Sequence, residues 1–205
     1  MSSIPNVSAT FRVVCLGGSA GGLEAYIAIL RHVPSHTGMG FVVAPHRGLE
    51  HAELLPQLLA RATTMPVVEV TEGMKIEADK VFIMPPRQEM TLHGDTFHLA
   101  SAPAPRGWPK TINIFLYSLA KTRNDQAIAV ILSGMDSDGV AALQAIKRAG
   151  GITFAQANPA VDSMPRHALE SGNVDYLLNA ADIGTALAAL ARDEKARAAI
   201  PSSIA

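Results

Sequence analysis

Short apolar runs alternate along the chain with stretches whose hydrophobic residues recur at helical spacing. The runs at 13–16, 41–44, 67–70, 81–84, 127–132, 152–155 and 174–177 read as strands. Helices are expected over 23–30, 51–61, 111–121 and 140–149, in a segment opened by Pro165, and in an alanine-rich stretch from Ile183. In the 51–61 helix, Leu54, Leu55, Leu58 and Leu59 form the apolar face, and Pro56 belongs in the first turns, where its missing N–H does no harm. Met90-Thr91-Leu92 and Phe97-His98-Leu99 flank His93-Gly94-Asp95-Thr96, the pattern of an antiparallel hairpin.

Continuous apolar strands separated by helices of about ten residues predict a parallel sheet buried on both faces. The expected fold is therefore α/β: a doubly wound, mostly parallel sheet with helices on both faces and an antiparallel hairpin at one edge. Neither a repeat nor a linker divides the 205 residues, so 11–192 is expected to form one domain. The polar stretch 1–10 reads as disordered or extended, and 193–205 as a frayed tail.

Composition narrows the function. A hydrophobic share of 48% against 17% charged residues fits a folded globule, and a net charge of −1 offers no basic surface for nucleic acid or anionic lipid. No apolar run reaches the length of a membrane span. The one cysteine, Cys15, lies in a strand and reads as a structural thiol, which suits a reducing, cytoplasmic setting.

In open parallel sheets ligands collect at the carboxyl ends of the strands, which singles out three loops. Gly17-Gly18-Ser19-Ala20-Gly21-Gly22 follows the first strand, and its first five residues fit G-x-S-x-G. Such a turn can expose a nucleophilic serine, cradle a phosphate at a helix N-terminus, or be a tight connection with no chemistry. Pro45-His46 follows the second strand, and Asp136-Ser137-Asp138-Gly139 comes shortly after the 127–132 strand. Each has a plain alternative, because loop histidines are commonly solvated and aspartates commonly cap helices. Together, serine, histidine and aspartate at strand ends supply the parts of an acyl-transfer triad: Ser19, His46 and Asp138, with Asp136 in reserve. Ala20 and Gly21 would border the oxyanion. The nucleotide reading is weaker, because the glycines miss G-x-G-x-x-G and no P-loop lysine follows. Seven scattered histidines give no metal site, and His32 and His36 are separated by Pro34. Trp108, in a proline-rich loop, either borders the site or anchors the loop.

The motifs Leu16-Gly17-Gly18-Ser19-Ala20-Gly21-Gly22-Leu23-Glu24, Pro45-His46, Leu132-Ser133-Gly134-Met135-Asp136-Ser137-Asp138-Gly139 and Ser163-Met164-Pro165-Arg166 occur in one chain. This combination resembles the catalytic domain of the bacterial chemotaxis protein-glutamate methylesterases (CheB-type), from about Phe11 to Leu190. The resemblance places the nucleophile on Ser19, the histidine on His46, the acid on Asp138, and a methionine beside the site on Met135. It implies hydrolysis of glutamate γ-methyl esters, and deamidation of some glutamines, on the cytoplasmic helices of methyl-accepting chemoreceptors or a similar methylated protein. No cofactor or metal is implied. Ala20, Pro45 and Asn113 depart from the family's usual small polar residue, glutamine and aspartate, which bears on rate and affinity more than on reaction type. Leu49-Glu50-His51 is closer to the version fused to methyltransferase domains. Most members carry an N-terminal phosphoreceiver domain, yet only about ten residues precede Phe11 here. The expectation is constitutive activity, control by a separate receiver-domain protein, or a fragment of a longer chain. A degenerate scaffold of the same fold and a small-molecule esterase are the alternative functions.

Overall fold

The computed structural model describes residues 11–46, 54–101 and 110–192. The expectations for 1–10, 193–205, Trp108 and Leu49-Glu50-His51 lie outside the described residues.

The expected strands and helices form in order. A central sheet contains β1 (Val13–Gly18), β2 (Gly40–Pro45), β3 (Val67–Glu69), β4 (Lys80–Ile83), β7 (Ala127–Ile131), β8 (Ile152–Gln156) and β9 (Tyr176–Leu178). All seven strands are parallel, in the order β3-β4-β2-β1-β7-β8-β9. The helices are α1 (Gly22–His32), α2 (Leu55–Ala60), α3 (Thr111–Arg123), α4 (Val140–Arg148), α5 (Ser163–Glu170) and α6 (Ala180–Arg192).

Alternation along the strands gives the sheet two apolar faces. Val14, Leu16, Phe41 and Val43 point to the side covered by α1 and α6. Val13, Cys15, Val42 and Ile131 point to the side covered by α3, α4 and α5. Both outer strands are only three residues long, which leaves little open edge for pairing with another chain.

In α2, Leu55 and Leu59 are buried and Pro56 sits in the first turn as expected, whereas Leu54 is exposed. That helix is too short for four leucines to share one inward face. β9 starts two residues later than the apolar run suggests, because Asp175 is drawn off by Lys147 Nζ (2.9 Å) and by the Thr153 N–H (2.9 Å).

The hairpin forms from β5 (Gln88–His93) and β6 (Thr96–Ser101) as a separate two-stranded sheet, over the face that carries α3. Its free edges are already occupied. β6 pairs through Thr96 with Lys75, while Leu92 accepts from Thr122 Oγ1 and donates to Ser118 Oγ of α3. Phe97 packs between Phe82 and Phe115, with ring centroids 5.1 and 6.4 Å away. Burying an aromatic ring of this kind contributes about 1.5–3 kcal/mol, enough to hold the hairpin on its helix.

At the opposite end of the sheet from the loops of interest, Arg12 Nη1 donates to the Leu190 carbonyl at 2.6 Å. The residue entering β1 and the end of α6 therefore meet.

Candidate active site

β1 passes to α1 on one face and β7 to α4 on the other. The crevice beyond these two adjacent strands is the switch point of the sheet, where α/β folds place their ligands. Ser19 stands at its centre. Its N–H donates to the Ser133 carbonyl at 2.8 Å, and its carbonyl accepts from Gly22 at 2.8 Å. The turn needs glycine at 21, where φ is +72°, and an added Cβ would lie 2.7 Å from Ser133 Oγ. The N-cap residue of α1, Gly21, makes no side-chain cap.

His46 reaches Ser19 through strand register. β1 and β2 are parallel neighbours with Gly18 opposite Pro45, and the His46 N–H continues the ladder by donating to the Gly18 carbonyl at 2.7 Å. Ser19 and His46 are thus equivalent steps beyond two adjacent strands. Ser19 is 7% exposed and His46 2%, so neither is an ordinary solvated loop residue.

Asp138 is fully buried. Its Oδ2 accepts from the Ile112 N–H at 2.9 Å, and its Oδ1 from Asn113 at 3.0 Å and Gly139 at 2.9 Å. Burial pushes its carboxyl above the ordinary carboxylate value, although these N–H groups and a nearby His46 charge pull the other way. The same burial, with Asp138 adding to it, drives the Cys15 thiol far upward, so Cys15 is a packing residue beneath the site.

Asp136 is held differently: it is half-buried and its backbone lies in the left-handed region at φ +76°. Its Oδ1 accepts from Ser137 N at 2.7 Å and Lys110 Nζ at 3.4 Å, and among the described residues its buried Oδ2 has no hydrogen-bond partner. Burial raises its carboxyl, but the Ser137 N–H, Lys110 and a His46 charge outweigh it and hold the group below its usual value. His46 therefore feels both acids. The one held by buried backbone donors is Asp138.

Ala20 and Gly21 lie in the crevice turn, and the Ala20 carbonyl accepts from Ser133 Oγ at 2.8 Å. Met135, next to Gly134 in the β7–α4 loop, is 63% exposed, a large apolar side chain left in solvent. Ser133 and Gln156 are supporting residues that sequence reasoning did not single out. Ser133 Oγ accepts from Val161 N at 2.9 Å, and Gln156 Oε1 accepts from Ser133 N at 2.8 Å. Ser133 stood in a flagged motif, but Gln156 carried no signal beyond its position at a strand end. Among the described residues, no group of three or more histidine, cysteine, aspartate or glutamate side chains could hold a metal ion.

The family model described as CheB methylesterase matches residues 14–187. The chain is 33% identical over 190 residues to protein-glutamate methylesterase/protein-glutamine glutaminase 2 of Anaeromyxobacter dehalogenans, covering 92% of this chain and 56% of that one. An uncharacterised 104.1 kDa protein of Rhodobacter capsulatus is 41% identical over 133 residues, or 63% of this chain and 14% of its own. The chain thus spans about half the length of the first relative and far less of the second. Among solved structures, the catalytic domain of the Thermotoga maritima CheB methylesterase superposes with a TM-score of 0.81 at 25% identity. That likeness covers 89% of this chain and all of that one.

Proposed function

The chain belongs to the CheB methylesterase family, and from that premise we propose that it is a serine hydrolase that removes methyl groups from glutamate γ-methyl esters. The observation that carries the reading is strand register. The parallel pairing of Gly18 with Pro45, extended by the bond from His46 N to the Gly18 carbonyl, sets a serine and a buried histidine side by side.

In this reading Ser19 Oγ attacks the ester carbonyl while the His46 imidazole takes its proton. The negative oxygen of the tetrahedral intermediate is met by N–H groups around Ala20 and Gly21. The imidazolium returns the proton to the departing methoxide, and methanol leaves an acyl-Ser19. Water, deprotonated by His46, then attacks the acyl carbon, and the proton passes to Ser19 Oγ as glutamate is released. Asp138 accepts the other imidazole N–H and stabilises its charged form. A glutamine side chain would follow the same route with ammonia as the leaving group, which gives the deamidase activity. The substrates are cytoplasmic helices of methyl-accepting chemoreceptors or a similar methylated protein, with Met135 as an apolar contact at the mouth. The protein would act in the cytoplasm. Among the described residues, no helix is long and apolar enough to cross a membrane.

The test is Ser19→Ala, assayed by methanol release from a methylated receptor fragment. Removing one oxygen should change stability by less than roughly 1 kcal/mol. Turnover should fall at least about a thousandfold, and Ser19→Ala/His46→Ala should lose little more than either single variant. A wild type that binds the fragment without turnover would favour a scaffold, and a Ser19→Ala variant with most of the wild-type rate would end the triad reading.

A further inference from the structure

The two helices that meet behind the site cap each other. Neither α3 nor α4 has a side-chain cap from its own N-cap residue. Asp138, two residues before α4, accepts the N–H groups of Ile112 and Asn113 in the first turn of α3. Asn113 in turn sends Oδ1 across to accept the N–H of Ala142, in the first turn of α4, at 3.0 Å. Both side chains are buried. One residue thus links the two helix starts in both directions, with its backbone N–H on the Asp138 carboxylate and its side chain on the helix that Asp138 precedes.

We infer that Asn113 is a positioning residue, which fixes Asp138 against His46 through this reciprocal cap and, as a neutral amide, adds no further negative charge to those of Asp138 and Asp136. The inference rests on the triad reading of Ser19, His46 and Asp138. Among the described residues, the titratable and charged groups around the pair are the Cys15 thiol of β1, Asp136 and its partner Lys110. Asn113 holds the remaining place on α3 with a neutral amide. A carboxylate there could still accept the Ala142 N–H, but it would favour a protonated imidazole nearby. Capping and charge can therefore be varied separately.

The experiment compares wild type, Asn113→Ala and Asn113→Asp by the rate at which a fluorophosphonate labels Ser19, and by methanol release from a methylated receptor fragment, both across pH. Asn113→Ala should lower plateau labelling and kcat by about tenfold or more, with KM within about twofold, because catalytic geometry is lost and binding is not. Asn113→Asp should recover the plateau to within about threefold while moving the acid limb of the profile to higher pH. Wild-type rates in Asn113→Ala, no recovery in Asn113→Asp, or an Asn113→Asp profile that coincides with wild type would each overturn the proposal. Amide hydrogen exchange at Ala142 supplies a readout independent of activity. Its protection should drop in Asn113→Ala and persist in Asn113→Asp, and equal protection in all three proteins refutes the cap. If wild type shows no Ser19 labelling, the triad reading is what fails, and the Ala142 amide still judges the cap.

Discussion

Gly134→Ala adds one methyl group at the point where the β7–α4 loop presses on Ser19. Gly134 has no positive φ, so the substitution brings no backbone strain and its effect is purely steric. The new Cβ would overlap Met164 Sδ and lie 2.9 Å from Ser19 Cβ. Met164 is fully buried, but its thioether can swing to another rotamer. Ser19 has no such freedom, because its backbone is bonded to Ser133 and Gly22. Ordinary contact begins at 3.4 Å, so Ser19 Cβ must retreat by about 0.5 Å. Overpacking of this kind costs about 1–3 kcal/mol, or a fall in Tm of roughly 2–12 °C for a chain of this size. A misplacement of about 1 Å can cost a hundredfold in rate, so half of that should lower kcat about tenfold, with KM little changed. The assays are methanol release and thermal unfolding, and Gly172→Ala is the control. Gly172 has φ +69° with nothing within 4 Å of an added Cβ, so its variant should lose about 1 kcal/mol to backbone strain and none of its activity. A Gly134→Ala protein with kcat within twofold of wild type and unchanged Tm would show that Ser19 is not wedged against this loop.

Two further outcomes follow from buried groups. Because the folded state raises the Asp138 pKa, it holds that proton to higher pH than the unfolded chain does. The group's contribution to stability is therefore present at low pH and lost as pH rises above about 4, the unfolded carboxylate value. Asp138→Asn should be less stable by about 1–3 kcal/mol, since its amide nitrogen cannot accept one of the backbone N–H groups, but it should lack this pH-dependent decline. Urea melts at a series of pH values measure both, and parallel wild-type and mutant curves would refute the assignment. Cys15, driven upward by burial, should resist a thiol reagent in the native protein at pH 8 and react in full in denaturant. Rapid native labelling would place it at the surface instead.

The parallel sheet was legible because strands buried on both faces need no polar alternation, and runs such as Ala127 to Ile131 advertise this directly. The crevice was legible in part. Glycines around Ser19 mark a tight turn, and the proline and histidine after β2 mark the next strand end, yet no local pattern shows that Gly18 and Pro45 share a register. Other features depend on contacts far apart in sequence. The hairpin's place over α3 follows from the bonds of Leu92 to Ser118 and Thr122. The difference between Asp136 and Asp138 is invisible in Asp136-Ser137-Asp138, because it comes from Ile112 and Asn113 arriving from α3. Asn113 stood out only as a departure from the family's aspartate, and nothing local showed that its side chain reaches the Ala142 N–H of α4.

The bond from Arg12 to the Leu190 carbonyl has a topological consequence for how the molecule can be rebuilt. β1 runs for six residues from Val13 to Gly18, so Arg12 and Leu190 meet about 20 Å from the serine turn, at the remote rim of the sheet. A short polar linker could join the two without crossing the crevice. The chain could then be opened at Gly172, where nothing crowds the turn, to give a circular permutant with new termini and an undisturbed Ser19 turn. A reporter fused at either new end would sit behind the sheet, leaving the loops around Ser19 and Met135 clear.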